Sequence, residues 1–252
     1  MKRKIEHAQE IIAGAVQQYE KIAVACSFGK DSVVTLHLVQ QIKPDIPVFS
    51  IMTRFKPEAT FAYLRKMRRL WDLRLTVYMV ADEAPELLRD EAIKTELLPT
   101  DEFKQFASKT WQETGKPTYV ANPDKCCQLL KVDATKAAVK NLDAWFSGLR
   151  NTEGRTRKDF QEIEKRGNLV KISPILEFTE EDVLQYAHDH HIPLHPWYSK
   201  IFPDGRRYRS LGCAPCTRPV YSHQLERDGR WQNTGKCGGE CGIHTKILKR
   251  SQ

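Results

Sequence analysis

The sequence predicts an α/β protein: an open, mostly parallel twisted sheet with helices on both faces, followed by an irregular C-terminal tail that carries a reactive cysteine. Three observations predict it. Short apolar runs alternate with helical patterns from residue 21 to residue 80, as in βαβ units joined by right-handed crossovers. A glycine-containing loop, SFGKDS at 27–32, directly follows the first apolar run. From His195 onward Pro, Gly, Trp and Arg dominate and regular structure thins out.

In chain order, Ile5, Ala8, Ile12, Val16 and Tyr19 fall at helical spacing and predict an amphipathic first helix. KIAVACS (21–27) is a short apolar run, consistent with a buried strand. VVTLHLVQQI after the loop reads as a helix, and IPVFSIM (46–52) as a second strand. Pro57 suits the first turn of the next helix, which runs to about Asp72. RLTVYMV (74–80) alternates and reads as a third strand. Residues 81–123 are mixed and charged, and are read as helices plus an insertion of undefined shape. Residues 125–139 read as a helix; 142–149 and 169–172 read as further strands, with the arginine-rich RNTEGRTRKDF between them. Thr179 is an N-cap with Asp182 three residues on, and Phe178 and Val183 form a hydrophobic staple on a helix ending near His190. The expected division is a nucleotide-binding α/β domain over 1–200 and a C-terminal segment over 201–252 that folds back over the sheet.

The composition narrows the class. With 252 residues, 40% hydrophobic and 29% charged, the chain fits a soluble globular protein. It has no apolar run near the ~18–20 residues of a membrane span. The charged N-terminus has no apolar stretch behind it, so no secretory leader is expected. Seven cysteines, an odd number, argue against a disulfide scaffold and for metal or redox chemistry in a reducing cytoplasm. A net charge of +8 fits a partner rich in phosphate or sulfate. Without a recognised binding motif, nucleic acid is not the expected partner, nor is a membrane.

Four groups of residues carry chemistry. Backbone N–H groups at a helix start bind anions. Here Gly29 allows close approach, Lys30 adds a point charge, and Ser27 and Ser32 add hydroxyls. Cys126 and Cys127 in tandem, with Cys213 and Cys216 in a CxxC, supply four thiolates. Zinc and an iron–sulfur cluster both suit them, and adjacent cysteines diverge in a way that favours distinct irons. Cys241 lies among Gly238, Gly239 and Gly242, with Lys236 and His244 placed to favour its thiolate; a metal pair with Cys237 is the alternative. Arg150, Arg155 and Arg157, followed by Arg206, Arg207, Arg209 and Arg218, suit bidentate contacts to phosphate or sulfate. Arg150 is favoured because it ends a strand.

SFGKDS resembles the SGGKDS pyrophosphate loop of the adenine-nucleotide alpha-hydrolase superfamily, with Phe28 in place of the first glycine. KCCQLLKV, LDAWFSGLRNTEGRTR, GCAPCTRP and ECGIH together resemble the [4Fe-4S] branch of the adenylylsulfate and phosphoadenylylsulfate reductases. The resemblance implies that Ser27, Phe28, Gly29, Lys30, Asp31, Ser32 and the arginines hold the nucleotide. It implies that the four cysteines bind one [4Fe-4S] cluster, and that Lys131 stands between cluster and substrate. It implies that Cys241 attacks the sulfur of adenylylsulfate, or of its 3′-phosphorylated form, leaving an S-sulfocysteine from which thioredoxin or glutaredoxin releases sulfite. A homo-oligomer is left open. Two departures stand out: Cys237, and the retained Lys30-Asp31-Ser32. The second keeps alive an ATP-dependent adenylating enzyme, either a sulfate adenylyltransferase small subunit or a tRNA sulfur-insertion enzyme. A zinc module that binds nucleic acid is the other alternative.

Overall fold

The computed structural model describes residues 1–240 and 242–247. Its centre is a seven-stranded sheet in the order β4-β3-β2-β1-β5-β7-β6. Helix α1 (Lys2–Gln18) precedes β1 (Ile22–Ala25). Then come α2 (Lys30–Gln40), β2 (Val48–Met52), α3 (Glu58–Leu70), β3 (Leu75–Val80) and β4 (Lys94–Leu98). The chain continues through α4 (Asp101–Thr114), α5 (Thr118–Ala121), α6 (Pro123–Cys127) and α7 (Asp133–Val139). β5 (Ala144–Ser147), β6 (Ile163–Arg166), β7 (Leu169–Ile172), α8 (Glu180–Asp189) and the short α9 (Ile243–Lys246) complete it. All strand pairs are parallel except β6 with β7.

The chain works outward from β1 to β4, then returns to lay β5 on the other side of β1. That reversal leaves a crevice beyond the carboxyl ends of β1 and β5, where open α/β sheets place their ligands. Strand alternation feeds two cores. Ile22, Val24, Ala144 and Phe146 join α1, α2, α3 and α8 on one face. Ala23, Phe49 and Trp145 join Val132 and Val139 on the other. At the start of α8, the Thr179 hydroxyl accepts from the Asp182 amide and the Asp182 carboxylate accepts from the Thr179 amide. Phe178 and Val183 are buried in the same core.

The structure departs from the sequence reading in four places. β4 and β6, the two edge strands, were not expected. Their sequences, KTELL and IEKR, are charged and half exposed. Charge is how edge strands avoid pairing with other chains, and it hides them from a search for apolar alternation. Pro57 sits at the N-cap rather than inside α3. The helix expected over 125–139 begins at Pro123 and is interrupted by a π-helical turn at Gln128–Val132, just after the paired cysteines; such turns concentrate at functional sites.

Candidate active site

The crevice beyond β1 and β5 is a cleft lined by the loop residues Ser27, Gly29, Asp31 and Ser32. The loop is shaped by close approach. A Cβ at Gly148, just past β5, would lie 2.7 Å from the backbone of Ser32, so only glycine lets β5 reach the start of α2. The Lys30 amide, at the N-terminus of α2, donates to the Tyr198 hydroxyl (3.2 Å). Phe28 takes φ +59° while its ring is buried in the core, edge-on to Tyr63. Its side chain therefore serves packing and does not line the cleft.

Lys30 and Arg150 were expected to bind substrate, and neither side chain faces the cleft. The Lys30 ammonium is buried and donates to Glu226 Oε2 and to the Arg209 carbonyl, each at 2.6 Å. Arg150 is fully buried. It donates to Asp31 (2.6 Å), to both oxygens of Glu226 (2.8 and 2.7 Å) and to Thr152 (2.9 Å). Burial works against both charges, but Asp31 and Glu226 outweigh it and hold both groups protonated. These two cations therefore tie the C-terminal segment, through Glu226, to the glycine loop. Asp31, Glu153 and Glu226 bring carboxylate oxygens within 4.8 Å of one another, and Lys30 and Arg150 account for that crowding. Arg155 is exposed and pairs with Asp228 (3.1 Å), away from the cleft.

Arg157 does line the cleft, between two carboxylates. One guanidinium nitrogen contacts Glu153, while Nε and Nη2 donate to Glu240 at 2.6 and 3.1 Å. Arg227 and Arg230, which the sequence reading passed over, also line the cleft. A sequence signal existed: RDGRW sets two arginines three apart beside a tryptophan, just upstream of the glycine-flanked cysteine. Lys56 was missed as well and lines the same cleft.

His244 lines the cleft. Burial, with Arg157 beside it, lowers its pKa to about 3. The imidazole is therefore neutral at physiological pH and supplies no cation to a nearby thiolate, contrary to the expectation from sequence. Lys236 is likewise committed, donating to Asp124 (2.5 Å). Cys241 lies outside the described residues. Cys237 is an exposed free thiol.

Cys126, Cys127, Cys213 and Cys216 converge on one apolar recess with Phe55, Tyr119 and Trp231. The CxxC turn is pinned there: Ala214 N–H donates to the Phe55 carbonyl (2.7 Å) and Trp231 N–H to the Cys216 carbonyl (3.1 Å). The Thr53 hydroxyl lies 3.2 Å from Cys213 Sγ. Burial pushes the thiols of Cys126 and Cys216 up to about 12 and 11. At Cys213 burial is outweighed by Lys131, helped by Thr53, so its thiol is lowered. Trp231 is buried here, and its indole N–H has no hydrogen-bond partner among the described residues. Lys131, itself buried, lines both this recess and the cleft beyond β1 and β5.

Fold and site together define an α/β protein with an open, mostly parallel sheet, its cleft at the switch point beside a four-thiol recess. Residues 21–219 match the model of the phosphoadenosine phosphosulfate reductase domain. The chain belongs to that family. A protein of Halalkalibacterium halodurans named adenosine 5′-phosphosulfate reductase is 30% identical over 238 residues, covering 93% of this chain and 90% of the relative. One of the same name from Anoxybacillus flavithermus is 29% identical, covering 94% and 89%. Among solved structures, the phosphoadenylyl-sulfate reductase of Candida auris in its phosphate complex superposes with a TM-score of 0.61 at 20% identity, covering 84% of this chain and 90% of that one. Candida glabrata FMN adenylyltransferase superposes at 0.56 with 14% identity, covering 99% and 74%, which attests the shared fold.

Proposed function

We propose that this chain is a thiol-dependent reductase that converts adenylylsulfate to sulfite and AMP, with Cys241 as nucleophile and a [4Fe-4S] cluster on Cys126, Cys127, Cys213 and Cys216. The observation that carries it is Lys131, which borders the nucleotide cleft and the thiol recess at once. The names of the relatives at 30% and 29% identity favour adenylylsulfate over its 3′-phosphorylated form.

The thiol recess fits a cluster better than zinc. Four thiolates about 2.3 Å from one zinc ion would lie within about 4 Å of each other. Among the described residues, no three of these sulfurs fall within 4.8 Å of one another. The unpartnered indole N–H of Trp231 fits a group that brings sulfide acceptors. When bound, the cluster supplies structure and a polarising charge beside the substrate's sulfate end.

The chain's own residues account for the remaining steps. Ser27, Ser32 and the backbone at Gly29 receive the nucleotide phosphate. Lys131, Arg227 and Arg230 face the sulfonyl end. The Cys241 thiolate attacks sulfur, the S–O bond to phosphate breaks, and AMP departs with that electron pair. The thiolate of a small dithiol protein, thioredoxin or glutaredoxin, then attacks the Cys241 sulfur; sulfite leaves, and the second thiol resolves the mixed disulfide. The ATP-dependent alternative rested on the retained Lys30-Asp31-Ser32; of these, Asp31 and Ser32 line the cleft, while the Lys30 ammonium is spent on Glu226 and the Arg209 carbonyl. An anaerobic assay offering both nucleotides with reduced thioredoxin tests the reading. Sulfite and AMP from adenylylsulfate, by brown iron-containing protein, are expected. Pyrophosphate from ATP without sulfite, or full turnover by iron-free protein, would overturn it.

A further inference from the structure

We propose that Glu240 is the positioning residue for the nucleophile that follows it, docking the terminal segment on Arg157 and Arg227 at the edge of the cleft. The inference rests on the reading of Cys241 given above and adds the group that seats it.

The geometry is a clasp. Glu240 is buried, 6% exposed at its side chain. Arg157 grips its carboxylate with two nitrogens, at 2.6 and 3.1 Å. Arg227 Nε adds a third contact at 3.3 Å, and Arg227 Nη2 donates to the carbonyl of Gly239. The segment just before Cys241 is therefore held by side chain and backbone together. The chain upstream is also tied: Gly238 N–H donates to the Arg230 carbonyl (2.9 Å), and Gly239 N–H closes a turn on Lys236 (2.9 Å).

The clasp gives Arg157 a different task from the one its sequence suggests. Its charge is divided between Glu153 and Glu240, so it is poorly placed to serve a substrate anion. Arg227, by contrast, reaches the tail and lines the cleft, so tail docking and anion binding share one guanidinium. Glu240 is not a proton-transfer group. Although burial opposes its charge, Arg157 and Arg227 lower its pKa to about 2, so it carries no proton at neutral pH. A bare carboxylate next to an attacking thiolate and a sulfated nucleotide would repel both; paired with two arginines, it anchors without that penalty. In-line attack on sulfur requires the thiol to be held to within a fraction of an ångström, and a misplacement of about 1 Å costs about 100-fold in rate.

The test uses the full-length, cluster-loaded enzyme with three substitutions: Glu240→Gln, Glu240→Ala and Glu240→Asp. Single-turnover S-sulfonation of Cys241 is followed by mass spectrometry, AMP affinity by calorimetry, and amide hydrogen exchange along the chain. Glu240→Gln is expected to slow S-sulfonation about 10-fold and Glu240→Ala about 100-fold, with Glu240→Asp recovering part of the loss. AMP affinity should not change. Exchange should accelerate across 236–240 and not in β1. Unchanged S-sulfonation in Glu240→Ala, an affinity for AMP that falls in step with rate, or unaltered exchange at 236–240 would each overturn the inference. Wild-type enzyme that forms no adduct on Cys241 would sink the reading of the reaction and the inference with it. Wild-type enzyme that does form it, beside a Glu240→Ala variant indistinguishable from it, sinks the inference alone.

Discussion

The glycine loop at 27–32 and the segment from His195 to Glu240 face each other across one cleft, yet different forces hold them. The loop hangs on a sheet whose inner strands are buried on both faces by aliphatic and aromatic side chains. The C-terminal segment has no strand in that sheet among the described residues. Its buried side chains include Glu226, Arg227, Arg230, Cys213, Cys216 and Trp231. One side of the site is thus built by hydrophobic burial and a backbone ladder, the other by ion pairs, cation–aromatic contacts and thiols. Arg230, for example, lies 4.5 Å from the centre of the Trp231 ring. The difference matters because apolar burial is non-directional. A buried ion pair needs both partners in place, so the second side can couple its order to what binds in the cleft.

The sharpest way to break this contrast is to remove the groups that give the C-terminal side its chemistry. Cys241→Ser is expected to abolish sulfite release, and Cys237→Ser to leave turnover in place. Sulfite assays on the two proteins check this; loss in both would make the second thiol essential too. Cys213→Ser is expected to strip iron from the purified protein while leaving the far-UV dichroism of the sheet and its helices in place. Iron retained at the wild-type level would take Cys213 out of the ligand set.

How much of each side the sequence disclosed follows from the same contrast. β1, β2, β5 and β7 were legible as short, mainly apolar runs and β3 by its alternation. Edge strands β4 and β6 were not, since charge replaces that pattern. On the C-terminal side the cysteines were legible by spacing, and the structure gathers Cys126, Cys127, Cys213 and Cys216 in one recess. Arg157 does line the cleft, but Arg150, Arg155 and Lys30 were misjudged. A sequence shows which residues are cations, but not where the carboxylates Glu153, Glu226 and Glu240 come to lie. Those carboxylates turned Arg150 and Lys30 from anion ligands into structural ties. The cleft cations Arg227 and Arg230 went unnoticed because their one local signal, RDGRW upstream of the glycine-flanked cysteine, does not show which way the guanidinium groups face.

Glu226→Gln probes the tie between the two sides. It leaves Lys30 and Arg150 buried with one negative charge fewer; Asp31 remains in contact with both, 3.6 Å from Lys30 and 2.6 Å from Arg150. Breaking a buried pair from one side costs about 3–5 kcal/mol. With Asp31 still present the lower end applies, about 3 kcal/mol, read as a drop in the denaturant midpoint with an unchanged slope. A loss below about 1 kcal/mol would place the bond between loop and tail elsewhere.

Acid should loosen the tail before the sheet. The folded Glu240 carboxyl has a pKa of about 2, against an ordinary value of 4.5. A depressed carboxylate contributes stability above its unfolded pKa and loses it as pH falls through the folded one. The clasp is therefore fully formed at neutral pH and fails progressively between about pH 4.5 and 2, a contribution of about 3 kcal/mol. Amide exchange across 236–240, corrected for intrinsic rate, should rise in that window before exchange in β1 does. Simultaneous release of both would mean the two regions are one cooperative unit.

The smallest effect tests the apolar side at a buried residue held in left-handed backbone. Phe28 adopts φ +59°, a conformation that bulky residues avoid, where a glycine would sit without cost. Its ring is nonetheless 1% exposed and packs edge-on against Tyr63 at 6.3 Å between centroids. Phe28→Gly would relieve about 1–2 kcal/mol of left-handed strain. It would also forfeit a buried ring worth about 3–5 kcal/mol. Packing wins by these magnitudes, so the variant should be less stable by about 2 kcal/mol, with nucleotide affinity preserved because the ring does not line the cleft. A variant more stable than the parent would show that the loop's backbone strain, rather than core packing, sets the energy at this corner.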